Sequence, residues 1–243
     1  MGVHAGAVKQ FAQICPARAI RDGRASRVTG AAKRGYDSPL RNEQARATRR
    51  AIVTAAAELF VAQGYAATTM EAIAKAANVS RKTVFAAGGS KFALLKDAFD
   101  WSLVGDDEPI PMADRAPVQN ILATDDPAHA VRLWAAMITE TATRAAPIGA
   151  ALSAAAQVDE EAAAYLRLSD KHRLQGARAF VAHLAAIGGL RMGISPVDAA
   201  DLCWLAMDPG PYVRLVIERG WSRARYQDWL TAAVSRELLG LPG

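Results

Sequence analysis

Residues 69–91 read TMEAIAKAANVSRKTVFAAGGSK, and this stretch decides the fold. Two short helical segments flank Asn78, the residue after glycine that best tolerates positive φ. Thr68-Thr69-Met70-Glu71 opens the first as a capping box in which Thr68 caps and Glu71 reaches back. Ser80 caps the second, which runs to about Ala86 before Gly88-Gly89 breaks it. Ile73, Ala74, Val79 and Val84 supply a small core, and the small Ala74 and Ala77 permit close approach. Arg81, Lys82 and Thr83 are then predicted to stand exposed in the first turn of the second helix. A helix-turn-helix needs this arrangement, because one helix braces across the DNA backbone while the first residues of the next enter the major groove. Arg and Lys donate to guanine edges or phosphates, and Thr donates, accepts or touches a thymine methyl. An ordinary helical hairpin with a basic face carries the same local pattern, so the neighbouring sequence has to decide.

Working outward, Ile52, Ala55, Ala56, Leu59 and Phe60 recur at the spacing of one helix face and predict a first helix over residues 43–63. Arg46, Arg49 and Arg50 lie near its start, and Gly64 stands where a left-handed cap would end it. Ser90 caps a fourth helix from Lys91 to about Val104. Gly88-Gly89-Ser90-Lys91 is no phosphate-binding loop, since it lacks the upstream glycine and does not follow a strand. Further helices are predicted near 127–145, 147–157, 159–187, 196–207, 211–219 and 222–239. Asp126-Pro127, Ser195-Pro196 and Gly210-Pro211 each place a cap before a first-turn proline. Residues 105–126, with Pro109, Pro111 and Pro117, read as a loop with a helical turn. Strand signals are missing, so the fold class is all-α.

Charge is unevenly spread. Residues 1–41 carry eight basic and two acidic side chains, residues 42–104 eight and five, and residues 105–243 thirteen and seventeen. A basic leading part on an acidic body suits a protein that sets one end on a polyanion, although a solvated charged tail gives the same asymmetry. The leader 1–41 reads as disordered. It suits a transit peptide or a DNA-binding arm, and Val28 is a candidate alternative start. No apolar run approaches the roughly 18 residues of a membrane span. Cys15 and Cys203 match no metal spacing, the four histidines are scattered, and no nucleophile–base set stands out. The expectation is a cytoplasmic protein with no metal, no cofactor and no catalysis.

From Arg46 to Leu95 the chain resembles the amino-terminal DNA-binding domain of the tetracycline-repressor (TetR) family. The residues that carry the resemblance are Phe60, Gly64-Tyr65, Thr69, Ile73-Ala74, Val79-Ser80, Thr83-Val84-Phe85, Ser90-Lys91 and Leu94-Leu95. Glu218-Arg219-Gly220-Trp221-Ser222, with Tyr226, Trp229 and Leu230, looks like the last helices of some such regulators. Where the family usually has Tyr, His and an aromatic, this chain has Phe85, Ala87 and Gly88. That removes donors to phosphate and suggests a diglycine hinge.

The resemblance implies a three-helix helix-turn-helix DNA-binding domain over 42–92 and a helical effector-binding and dimerisation domain over 93–243. It implies a homodimeric repressor released from an inverted-repeat, double-stranded operator by a small-molecule effector of unknown identity. The DNA-binding candidates are Arg46, Thr69, Ser80, Arg81, Lys82, Thr83, Phe85 and Lys91, with Lys91 on a phosphate and Arg41 ahead of them. The effector candidates are Trp101, Trp134, Met137, Ile138, Phe180 and Trp204, with His129, Arg132, Arg144, His172 and Arg173 as polar contacts. Trp134, Met137 and Ile138 share one helix face, which an ordinary core would also explain. A dimer face is expected at Val213, Val216, Ile217, Trp229, Leu230, Val234 and Leu238, unless these pack internally. Two alternatives stand beside this reading: a DNA-binding protein without a ligand, and a helical enzyme with a basic targeting leader.

Overall fold

The computed structural model describes residues 39–241, and every regular element among them is helical. The leader's disorder, the Val28 start and Cys15 lie outside the described residues. Helix α1 (Pro39–Ala67) is interrupted at Gly64, whose φ of 81° and ψ of 166° fall in a region essentially closed to side-chain-bearing residues. Glycine is therefore needed there, and the positive φ was expected, though not this ψ. Helices α2 (Met70–Ala76), α3 (Arg81–Gly88) and α4 (Lys91–Val104) follow. Ser80 and Ser90 cap α3 and α4 by accepting from Thr83 N and Ala93 N, and Asn78 takes φ 53° in the turn.

The capping box is shifted by one residue. Thr69, not Thr68, caps α2 by accepting from Ala72 N at 3.1 Å. Thr68 is buried, its hydroxyl donating to Gly64 O at 2.8 Å, and Glu71 pairs with Arg81 instead of reaching back. Burial at the bend after α1 takes Thr68 out of the capping role.

A 3₁₀ turn (Met112–Asp114) leads into α5 (Ala116–Ala123), a full helix where a loop with a turn was expected. Val118, Ile121 and Leu122 bury one face of it. Helix α6 (Pro127–Ala155) runs straight through Pro147, where two helices were expected. Pro147 is exposed, while Ala145, Ala146 and Ile148 beside it are buried, so packing on both sides outweighs one lost backbone bond. The chain ends in α7 (Glu160–Ala186), α8 (Pro196–Ala206), α9 (Pro209–Tyr212, continued by π-helical Val213–Glu218) and α10 (Arg223–Val234, continued by π-helical Ser235–Leu239). The cap of α9 is Asp208 before Pro209, not Gly210 before Pro211.

Two cores result. In the first, Ile52, Phe60, Ile73, Val84, Leu94 and Leu95 of α1–α4 pack with Ile148 and Leu152 from the second half of α6. This core runs across residue 92, so α6 is built into the same unit as α1–α4. In the second, Trp134, Phe180, Leu184, Cys203, Tyr226 and Leu230 bind α6–α10 together. Leu230, Val234 and Leu238 are buried within the protomer, which removes them from the expected dimer face.

Candidate nucleic-acid interface and effector cavity

Val84 is fully buried against the first core, so the rest of α3 is oriented by it. That leaves Arg81 and Lys82 exposed in the first turn, with Phe85 one turn on and 47% exposed. The Arg81 guanidinium lies 2.7 Å from Glu71 and 5.4 Å from the Phe85 ring centroid. Both partners are exposed, so this pair costs little to open. Ser80 Oγ accepts from Thr83 N at 3.1 Å and shares a 2.8 Å hydrogen bond with the Thr83 hydroxyl. The Ser80 hydroxyl, like that of Thr69, is committed to capping, and the Thr83 hydroxyl is held by Ser80.

Two expected DNA contacts sit differently. Lys91 Nζ turns back to the end of α1, donating to Tyr65 O at 2.9 Å and Thr68 O at 3.2 Å above the Tyr65 ring. It is not a free surface cation. Arg46 donates to Asp107 at 2.9 Å from both Nε and Nη2, and to Glu108 at 2.5 Å, so its charge is matched within the chain. Arg49 joins helices by donating to Ala87 O at 2.7 Å and pairing with Asp97. Burial raises the Asp97 carboxyl above its ordinary range, with Arg49 opposing. Gly88 is no hinge. It is buried, and a Cβ there would lie 2.5 Å from Leu94 Cδ2; only Gly89 has positive φ.

Residues 52–98 match the family model described as bacterial regulatory proteins, tetR family. That match makes this part of the chain similar to the tetR family. The matched residues include all of α2 and α3. The fold of the longer chain is similar to that of NalD, the secondary repressor of the MexAB-OprM multidrug efflux pump in Pseudomonas aeruginosa. The two are 21% identical over 81% of this chain and 98% of that one, with a TM-score of 0.60. It is also similar to PfmR, a TetR family transcriptional regulator from Thermus thermophilus, at 22% identity over 79% and 96%, with a TM-score of 0.53. No curated protein matches the chain.

Behind these residues, α4, α6 and α7 supply most of the lining of a cavity of about 200 Å³. Trp134, Met137 and Ile138 line it, joined by Phe99, Tyr165 and Met207. The other three aromatic candidates do not. Phe180 is buried behind Trp134, stacked at 4.9 Å and 11°. Trp101 packs on the first core, and Trp204 faces a surface groove between α7 and α8. Of the polar candidates, His172 and Arg173 reach the wall. Arg144 instead donates to Ser102 O and Leu103 O at the end of α4, and His129 and Arg132 lie away from it toward solvent. Arg173 lies between Asp170 at 3.1 Å and Asp208 at 3.0 Å, over the Trp204 ring. Burial lowers the His172 pKa, which favours the neutral ring. Burial pushes the Cys203 thiol up to about 12, leaving it an inert core side chain.

Sequence reasoning missed the acidic segment 106–108. Arg115, nearly buried, holds Asp106 at 2.7 and 3.0 Å and also donates to Ile110 O and Glu108 O. The loop so folded presents Asp107 to Arg46 and Arg50 of α1. Among the described residues no helix is long and apolar enough to cross a membrane, and no group of acidic, His and Cys side chains could hold a metal ion.

Proposed function

We propose that the chain is a homodimeric transcriptional repressor that reads an inverted-repeat operator with the first turn of α3 and releases it when a small molecule enters the cavity. The carrying observation is the exposed Arg81 and Lys82 in the first turn of a helix that Val84 anchors in the core. Such a turn projects donors to base edges from a rigid base. Repression is taken by analogy with NalD, which is a repressor.

Release has a physical route. Leu103, Val104 and Met112 line the cavity and flank the acidic segment that grips Arg46 and Arg50. A ligand that moves those walls pulls on α1 and hence on α3, and its differential affinity for the two arrangements sets the size of the effect. For the dimer we choose the face of α7 and α8, where Leu168, Val197, Leu202 and Leu205 are exposed. The protein acts on DNA in the cytoplasm.

The test is selection of genomic fragments by the purified full chain, followed by binding assays on the selected site. Specific binding to a two-fold site, weakened by a small molecule that also raises the melting temperature, is expected. Binding without sequence preference would overturn the reading.

A further inference from the structure

Resting on that reading of the cavity as a ligand site, the charges in its wall select the class of ligand. Its apolar surface comes from Phe99, Trp134, Met137 and Tyr165. Its charged surface is Asp100 and Asp170 on opposite helices, with Arg173 beside the second.

Among the described residues, the one cation in this wall, Arg173, is paired through both Nη atoms, and only its buried Nε lacks a partner. Arg173 spans Asp170 and Asp208 and lies 5.0 Å from the Trp204 centroid, while Lys96 donates to Asp100 at 2.6 Å. The Tyr165 hydroxyl also donates to Asp100, without adding charge. Asp100, Asp170 and Asp208 are thus matched by Lys96 and Arg173, leaving one negative charge in excess. His172 adds no cation, because burial favours its neutral form. A ligand carboxylate or phosphate would enter beside Asp100 and Asp170, where negative charge is already in excess and the Arg173 Nε–H is the one guanidinium donor left open, and like charges at one site disfavour each other. An ammonium group meets the opposite situation. Each carboxylate oxygen accepts more than one hydrogen bond, and the hydroxyls of Thr141 and Ser169 line the same space. Aromatic rings next to carboxylates also favour a cation.

We infer that the cavity takes a lipophilic ammonium ion, an alkyl or aryl amine whose apolar part lies against Trp134 and Phe99 and whose charge lies toward Asp100 and Asp170.

Calorimetric titration of the purified full chain with naphthylmethylamine, naphthylmethanol and naphthoic acid tests this. The amine should bind about 10-fold more tightly than the alcohol, and the acid more weakly than both. Asp100→Asn and Asp170→Asn should each narrow the gap between amine and alcohol. The alcohol should keep its affinity to within about 2-fold, which shows that the cavity is still formed. An acid that binds as well as the amine, or an amine preference unchanged in both variants, overturns the ligand class and leaves the cavity a ligand site. If none of the three probes binds, the ligand-site reading falls and the inference with it.

Discussion

Arg46 on α1 holds Asp107 with two hydrogen bonds of 2.9 Å across 61 residues of chain. Arg50 adds a third at 2.6 Å, and the Asp107 side chain is only 8% exposed. The contact fastens the start of α1 to the segment that leaves α4.

That contact makes stability depend on pH in a defined direction. The hydrogen bonds from Arg46, and next from Arg50, hold the Asp107 carboxyl well below its ordinary range, so the folded chain binds this proton more weakly than the unfolded chain. Its stabilisation is complete above the unfolded value of about 3.9 and is lost as pH falls through and below it toward the folded value. Urea unfolding at about pH 6 and about pH 3 should show a larger loss in the natural chain than in Asp107→Asn. Equal losses would mean that the pair contributes nothing.

Gly88→Ala separates close packing from hinging. Alanine would gain up to about 1 kcal/mol of helix propensity if the site were open. Because the new Cβ meets Leu94 Cδ2 at 2.5 Å, overpacking by about 1–3 kcal/mol should win and lower the melting temperature. A stabilised variant would show that α3 and α4 separate readily.

The apolar residues left on the surface locate the dimer. Leu202→Asp with Leu205→Asp should give a folded monomer in sedimentation velocity, since both side chains are exposed in the protomer. Leu230→Asp should instead unfold the chain, because that side chain is 1% exposed. A double variant that stays dimeric would move the interface elsewhere.

What was legible beforehand was local. The caps Ser80 and Ser90, the positive φ of Asn78 and the buried Ile73 and Val84 depend on neighbours a few residues away, and those neighbours are written in order. The clamp on Arg46 was not legible, because Asp106-Asp107-Glu108 reads as any polar loop and its partners lie far upstream. Leu230, Val234 and Leu238 form a clear apolar stripe, but periodicity says that a face is covered and not by which chain. The same limit split the effector candidates. Trp134 and Phe180 are equally apolar, and only their stacking order shows which one faces the cavity.

The central claim is that the first turn of α3 reads base sequence, and binding of Arg81→Ala and Lys82→Ala to a selected operator and to a scrambled one, at several salt concentrations, tests it most directly. At least one variant should lose roughly 1–3 kcal/mol on the operator and much less on the scrambled site, with preference relaxed at one position in each half-site. If both variants keep the full preference of the natural chain, α3 does not enter the groove by this turn and the account is wrong.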